Sequence, residues 1–426
     1  MIPAEVIAET ARRYRERAAR REAVVEEIRA SGSAMAANTM ESLVRRIGPG
    51  ARSREDGGEP AGRSRLRALE RIIGKSDLLP ITYLRLGQRA ARAVARIHLR
   101  NAQGRTLGYG TGFMVSPRLL LTNNHVLGEE EGAAHCVAEF NYEIGLDGRT
   151  MPAETFELDP SAFFLTTKEL DFTLVALSER VIAAGFGWIP MGKGEGNVLL
   201  GESVSVIQHP DGGLKEISLR ENRVIDVLDE FIHYQTDTAN GSSGAPVFND
   251  DWQIVGLHHS GVPQTGASGE ILTIEGGVWS EEMGEQRVKW IANEGVRVSQ
   301  ILKHLTERDL PPAQSKLREQ VLEAPAPRVG LEEDSSTEGP ARPVGTSALP
   351  SVTRTVEALA NTTWTIPLEI SVRIGESVDD PAKVEGLLTL RAELTQPDGR
   401  HEEIVRPAPG DPIPPRRPRG STTRGR

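Results

Sequence analysis

Ser243 and the residues around it offer the clearest chemistry in this chain. It stands in Thr238-Ala239-Asn240-Gly241-Ser242-Ser243-Gly244-Ala245-Pro246-Val247, which has the form Gly-x-Ser-Gly-x-Pro. A serine hydroxyl is a weak nucleophile until a neighbouring base takes its proton. The flanking glycines let the backbone turn so that amide N–H groups converge beside the hydroxyl, where they can serve as an oxyanion hole. Two further segments supply the partners such a serine needs. Leu119-Leu120-Leu121-Thr122-Asn123-Asn124-His125 ends an apolar strand with a histidine at its mouth, and Glu169-Leu170-Asp171-Phe172-Thr173-Leu174-Val175 starts a strand at an aspartate. The order along the chain is His, Asp, Ser, one of the convergent orders of a catalytic triad.

These segments, together with Gly110-Thr111-Gly112-Phe113, resemble the trypsin-like (chymotrypsin-fold) serine peptidases, and among them the bacterial branch of the glutamyl endopeptidases. The resemblance covers roughly residues 90 to 305. It implies that His125 is the general base and acid, that Asp171 holds its tautomer, and that Ser243 is the nucleophile. The Gly241 and Ser243 N–H groups would form the oxyanion hole. Two positions depart from the digestive enzymes of the family. Ser242 replaces the usual Asp before the nucleophile, and Ala245 replaces the second Gly of Gly-Gly-Pro. The first departure removes the partner that a newly cleaved N-terminus would pair with.

The resemblance also places a substrate pocket on Asp237, Thr238, Asn240, His258, His259 and Ser260. Asp237, six before the serine, points to basic side chains. Thr238, with His258 of Val255-Gly256-Leu257-His258, points to acidic ones, because a hydrogen-bonded or protonated histidine binds a carboxylate. Acidic P1 residues are the preferred expectation, with basic ones as the alternative. A non-catalytic scaffold that binds peptides or partner proteins is the competing reading of the whole domain.

The 426 residues suggest two or three domains. From Val94 to Leu305, short strands separated by turn residues predict a mainly β fold, a double antiparallel barrel with the three residues in the cleft. Glu281 to Leu305 reads as a closing helix interrupted near Gly295, and His209-Pro210-Asp211-Gly212-Gly213 as a surface turn. Residues 1–78 form a helical segment, expected to regulate or dock the domain at 79–305. Within it, Ile7, Tyr14, Ala18, Val25 and Ile28 make an apolar stripe. Residues 306–350 read as a Pro-rich flexible linker, 351–406 as a small β-rich module, and 407–426 as a basic disordered tail.

Other features limit the function classes. A net charge of −10 argues against nucleic acid as the main partner. No Cys/His cluster has zinc spacing and no loop cradles phosphate, so no cofactor or metal is expected. The single cysteine, Cys136, forbids an intrachain disulfide and fits a reducing compartment. Neither a signal-peptide core nor an 18-residue apolar run is present. The expected setting is the cytoplasm, with a protein or peptide substrate and a regulatory protein partner reached through the N-terminal helices or the C-terminal module.

Overall fold

Apolar residues alternating with polar ones, broken by glycine-bearing turns, build two seven-stranded antiparallel sheets in this computed structural model. The structure describes residues 2–47, 78–191, 198–219, 222–236, 238 and 241–323. The first sheet comprises β1 (Val94–Arg100), β2 (Thr106–Met114), β3 (Leu119–Thr122), β4 (Val137–Phe140), β5 (Glu154–Glu157), β6 (Phe164–Thr167) and β7 (Phe172–Ala176). Its spatial order is β5-β4-β1-β2-β3-β7-β6. The second comprises β8 (Val204–Gln208), β9 (Glu216–Ser218), β10 (Arg223–Val227), β11 (Phe231–Gln235), β12 (Pro246–Asn249), β13 (Ile254–Pro263) and β14 (Trp290–Arg297). Its order is β10-β11-β14-β13-β12-β8-β9.

Each sheet curls towards itself through backbone contacts beyond its ladders. In the first, Asp159 N–H donates to Ala176 O and Ser178 N–H to Glu157 O, tying the end of β5 to the end of β7. In the second, Gly201 N–H donates to Val224 O and Val204 N–H to Asn222 O, tying the approach to β8 to β10. This is the trypsin-like double-barrel architecture, with helices before and after it.

The core of the first barrel runs on into part of the second, which also packs a cluster of its own. Leu119, Leu120 and Leu121 of β3 are fully buried among Phe113, Phe140 and Phe172. Burying each such leucine contributes roughly 1.5–3 kcal/mol, so β3 is a firm platform for the histidine that follows. The second barrel packs Val204, Val206, Val224, Ile232, Val247 and Val255 around Tyr234. Cys136 is buried with its thiol raised by desolvation, an inert apolar position.

The helices depart from the sequence expectation in instructive ways. The N-terminal helix is two, α1 (Ala4–Glu16) and α2 (Ala18–Ser31), broken at Arg17, and α2 stops at Gly32 in the left-handed region. On α2 Ile28 packs inward as expected, but its neighbour on that face is Val24, and Val25 is 45% exposed. α3 (Met40–Ile47) and α4 (Thr82–Arg92) precede β1. The expected closing helix at 281–305 is corrected: Glu281–Met283 and Glu285–Arg287 are short 3-10 turns, Trp290–Arg297 is β14, and the α-helix is Val298–Glu307, α5. Within the expected linker, Pro312–Glu323 forms a helix, α6, whose Val321 is buried with the main core. The remainder of the expected helical segment, 48–77, the 351–406 module and the basic tail lie outside the described residues. Among the described residues no helix is long and apolar enough to cross a membrane.

Candidate active site

Three turns carry the candidate residues. After β3 the chain makes a helical turn in which Leu127 N–H donates to Asn123 O, and His125 stands on that turn. Asp171 sits on the tight turn between β6 and β7, closed by its own N–H to Lys168 O. Its φ of 44° is unusual for a non-glycine residue, although Asp tolerates the left-handed region better than most. Cross-contacts hold it there. Asn123 Nδ2 donates to Asp171 O at 2.8 Å, and His125 N–H donates to Asp171 Oδ1 at 2.9 Å. Oδ2 then accepts from His125 Nδ1 at 2.7 Å. That bond fixes Nδ1 as the protonated nitrogen and leaves Nε2 as a base.

Ser243 is carried to this pair by the loop before β12, and Thr111 of β2 is the residue that holds the loop. Thr111 N–H donates to Ser243 O at 2.9 Å, and its Oγ1 donates to Gly241 O at 2.7 Å. Thr122 Oγ1 donates to Thr111 O, joining the loop to the end of β3 just before His125. Two glycines are required here. Gly241 and Gly244 both have φ of 89°, and a Cβ on Gly244 would come within 2.0 Å of Thr111 O. Gly244 N–H donates to His258 O, which ties the other side of the loop to β13.

The 209–213 turn lies between β8 and β9 and against this loop, with Asp211 exposed and only His209 and Gly212 buried. His209 is fully buried, with its N–H donating to Thr111 Oγ1 and its carbonyl against Gly241.

The structure thus joins His125 and Asp171 directly and holds the Ser243 loop on Thr111 of β2, whose carbonyl accepts from Thr122 at the end of β3, three residues before His125. His125 Nε2 is buried and makes no hydrogen bond among the described residues. Ser243 is 8% exposed, and its Oγ is likewise unbonded. The Gly241 and Ser243 N–H groups donate to no acceptor among the described residues, so they are free to receive one from a substrate. Catalytic contacts of this kind commonly tighten only when substrate is bound.

Burial by itself opposes the charge on Asp171. The neighbouring His125 and His259 rings overcome that penalty and hold its carboxyl well below the usual carboxylate range. Among the described residues no group of three His, Cys, Asp or Glu side chains is placed to hold a metal ion.

The pocket residues divide. Asp237 and Asn240 lie outside the described residues. Thr238 donates from Oγ1 to Asn293 Oδ1 at 2.6 Å, and Asn293 returns a bond to Thr236 O. His258 is buried, with Nδ1 bonded to the Tyr234 hydroxyl at 2.7 Å.

The other two expected pocket residues have their side chains engaged. His259 has both ring nitrogens committed, Nδ1 to Asp171 at 3.1 Å and Nε2 to Glu294 at 2.8 Å. The Ser260 side chain is fully buried and turned onto Gly261 O. Thr111, Glu294 and Arg13 are the residues the sequence reading missed. Thr111 lay within a motif already noticed, between two glycines of β2.

The comparisons with known proteins bear on this geometry. The trypsin-like peptidase domain family matches residues 110–257, which span both His125 and Ser243. The chain carries a trypsin-like peptidase domain. It is 40% identical over 260 residues to "Uncharacterized protein y4fB" of Sinorhizobium fredii, an alignment covering 56% of this chain and 39% of that protein. It is 25% identical over 157 residues to a glutamyl endopeptidase of Staphylococcus aureus, covering 36% of this chain and 47% of the relative. The chain therefore spans less than half the length of either of these two relatives. Among solved structures, the peptidase domain is similar to a serine endoprotease of Yersinia pestis. The TM-score there is 0.36 and the identity 15%, covering 54% of this chain and 67% of that one. It is also similar to the Rv3671c protease of Mycobacterium tuberculosis, with TM-score 0.35 and 13% identity, covering 55% and 89%.

The buried histidines of the peptidase domain predict how its stability responds to acid. Burial pushes His209 and His258 down to about 3, from an ordinary value of 6.5, with nearby positive charge adding to the effect. Each ring therefore takes up its proton more readily in the unfolded chain. Its contribution is complete above about pH 6.5 and is lost as pH falls towards 3, at up to about 1.4 kcal/mol per pH unit. His259 has the opposite sign. Burial lowers it, but the two carboxylates raise it above 6.5, so its contribution is already complete below that pH. Melting temperature should thus fall steadily between pH 6.5 and 4.5, before ordinary carboxylates titrate. His258→Gln should flatten the slope, and a flat parent profile in that window would refute the neutral, buried assignment.

Proposed function

We propose that the chain is a serine endopeptidase acting through an acyl-enzyme, with His125, Asp171 and Ser243 as its triad. The observation that carries this reading is the His125–Asp171 pair, which leaves Nε2 of His125 unbonded among the described residues, together with the Ser243 loop that Thr111 of the same barrel holds. His125 Nε2 takes the Ser243 proton as Oγ attacks the scissile carbonyl. The oxyanion collects on the Gly241 and Ser243 N–H groups. The imidazolium, steadied by Asp171, then returns its proton to the leaving amine, and water repeats the cycle to release the acyl group.

Acidic P1 residues are the preferred substrates in this reading. With Nδ1 accepting from the Tyr234 hydroxyl, a neutral His258 carries its proton on Nε2 and offers it to a substrate carboxylate. A pocket donor of this kind needs no positive charge, which suits a ring that burial holds neutral. Losing one hydrogen bond to a charged group costs about 1.5–3 kcal/mol, or about 10–100-fold in kcat/KM.

The test is cleavage of a peptide library followed by single peptides. Glu or Asp should dominate at P1, and His258→Gln should reduce kcat/KM for them by that factor while sparing an Ala peptide. Arg or Lys at P1 would reject the acidic preference and move the specificity role to Asp237.

A further inference from the structure

The contacts behind Asp171 do not end within the barrels. His259, whose Nδ1 meets Asp171, meets Glu294 of β14 with its Nε2. Glu294 is fully buried, and among the described residues one cation reaches it from outside the double barrel: Arg13 of α1, through Nη2 at 2.5 Å and Nε at 3.1 Å. Thr10 of the same helix donates to Glu294 Oε1 at 3.1 Å, and His233 Nε2 donates to Oε2 at 2.7 Å. Arg13 also lies 4.1 Å from the centre of the Phe231 ring, which stacks on His259. The lead-in to α1 is anchored as well, by Ile2 N–H to the buried Glu285 carboxylate.

The protonation pattern of this row follows from its geometry. An ionised carboxylate only accepts hydrogen bonds. His259 lies between two of them, so both of its nitrogens carry protons and the ring is an imidazolium. The charges then alternate: Arg13 positive, Glu294 negative, His259 positive, Asp171 negative. Such a row is stable only when complete, because removing one partner leaves its neighbour as an unpaired buried charge. Tyr234 and Glu9 also lie within electrostatic reach of Glu294, and Glu9 flanks Arg13 at 3.8 Å.

We infer that α1 braces the active site from outside the two barrels: Arg13 fixes Glu294, Glu294 orients His259, and His259 holds Asp171 against His125. Arg13, Glu294 and His259 are positioning residues in this scheme. The helix supports the site and does not plug it, so a partner that lifts α1 away lowers activity. This gives the N-terminal segment a regulatory handle with a defined sign. The kinetic consequence rests on the peptidase reading above, whereas the structural coupling does not.

The experiment uses the full chain with Arg13→Ala, Arg13→Lys, Glu294→Gln and, as control, Arg17→Ala. Arg17 belongs to the connection between α1 and α2 and pairs bidentately with Asp226, outside the row. Two readouts are taken, kcat and KM on one fluorogenic peptide, and the downfield Nδ1–H proton resonance of His125 by NMR. Arg13→Ala and Glu294→Gln should lower kcat by about 10–100-fold with KM within about twofold, as expected for slight misplacement of a catalytic group. They should also shift or broaden the His125 resonance. Arg13→Lys should restore part of both. Arg17→Ala should lower the melting temperature and leave kcat and the resonance unchanged.

An unchanged resonance and unchanged kcat in folded Arg13→Ala or Glu294→Gln would overturn the inference. So would an Arg17→Ala variant that matched Arg13→Ala in both. If Arg13→Ala does not fold, Arg13→Lys and Glu294→Gln decide. If the parent protein cleaves nothing, the peptidase reading fails, and the His125 resonance still decides the coupling.

Discussion

Ser243→Ala should abolish peptide cleavage, lowering kcat by about a millionfold while KM and melting temperature stay near those of the parent. The magnitude follows from how a triad works. Without a nucleophile there is no acyl-enzyme, and only the oxyanion hole and substrate binding remain to assist water. The small effect on folding follows from the geometry. Ser243 Oγ makes no hydrogen bond among the described residues, and the loop is held by its backbone: Thr111 to Ser243 O and Gly241 O, and Gly244 N–H to His258 O. His125→Ala should be nearly as damaging, and the double variant little worse than either, because the members act as a unit. Cleavage by Ser243→Ala within tenfold of the parent rate would remove Ser243 from the mechanism.

Asp171→Asn is expected to have the second largest effect, roughly a ten-thousandfold fall in kcat with little change in KM. The reason is tautomeric. Asp171 Oδ2 accepts from His125 Nδ1, which leaves Nε2 unprotonated. An asparagine amide can donate at that place, which reverses the ring and puts the proton on the nitrogen that must be basic. The substitution reaches further here, since the same oxygen also accepts from His259 Nδ1. An asparagine must turn its single oxygen towards one ring or the other. Steady-state kinetics on one peptide would check this. A fall in kcat of less than about tenfold would mean that Asp171 does not set the His125 tautomer.

The nucleophile loop was legible because its requirement is local. Gly241 and Gly244 adopt backbone angles that L-residues avoid, so their chemistry is written into consecutive positions. The histidine and aspartate were legible because each stands at the mouth of a strongly apolar strand, β3 or β7.

What escaped the reading is non-local or doubly buried. β14 is buried over most of its length, so Trp290–Arg297 lacks the alternation of a half-buried strand and blends into the α5 pattern behind it. Read as part of a helix, Glu294 looked like one more surface charge. Its partner Arg13 lies 281 residues away, among many arginines whose solvated and buried members look alike in sequence. His258 and His259 are adjacent, and opposite sides of β13 give them different roles. One bonds Tyr234 and the other Asp171 and Glu294, and a bulge falls between His258 and Ser260, which alternation along a strand does not reveal. Pro312 reads as a linker residue, yet it opens α6, where its missing N–H costs no helix bond.

The central claim is that Ser243 is an activated nucleophile. The most direct measurement is intact-mass analysis of the full chain after exposure to a fluorophosphonate probe, which modifies only serines whose hydroxyl is activated by a base. One adduct should form on the parent protein, mapping to the peptide that contains Ser243. Ser243→Ala should take up none, and Asp171→Asn should react far more slowly. An unlabelled parent protein, or an adduct that persists in Ser243→Ala, would contradict the account.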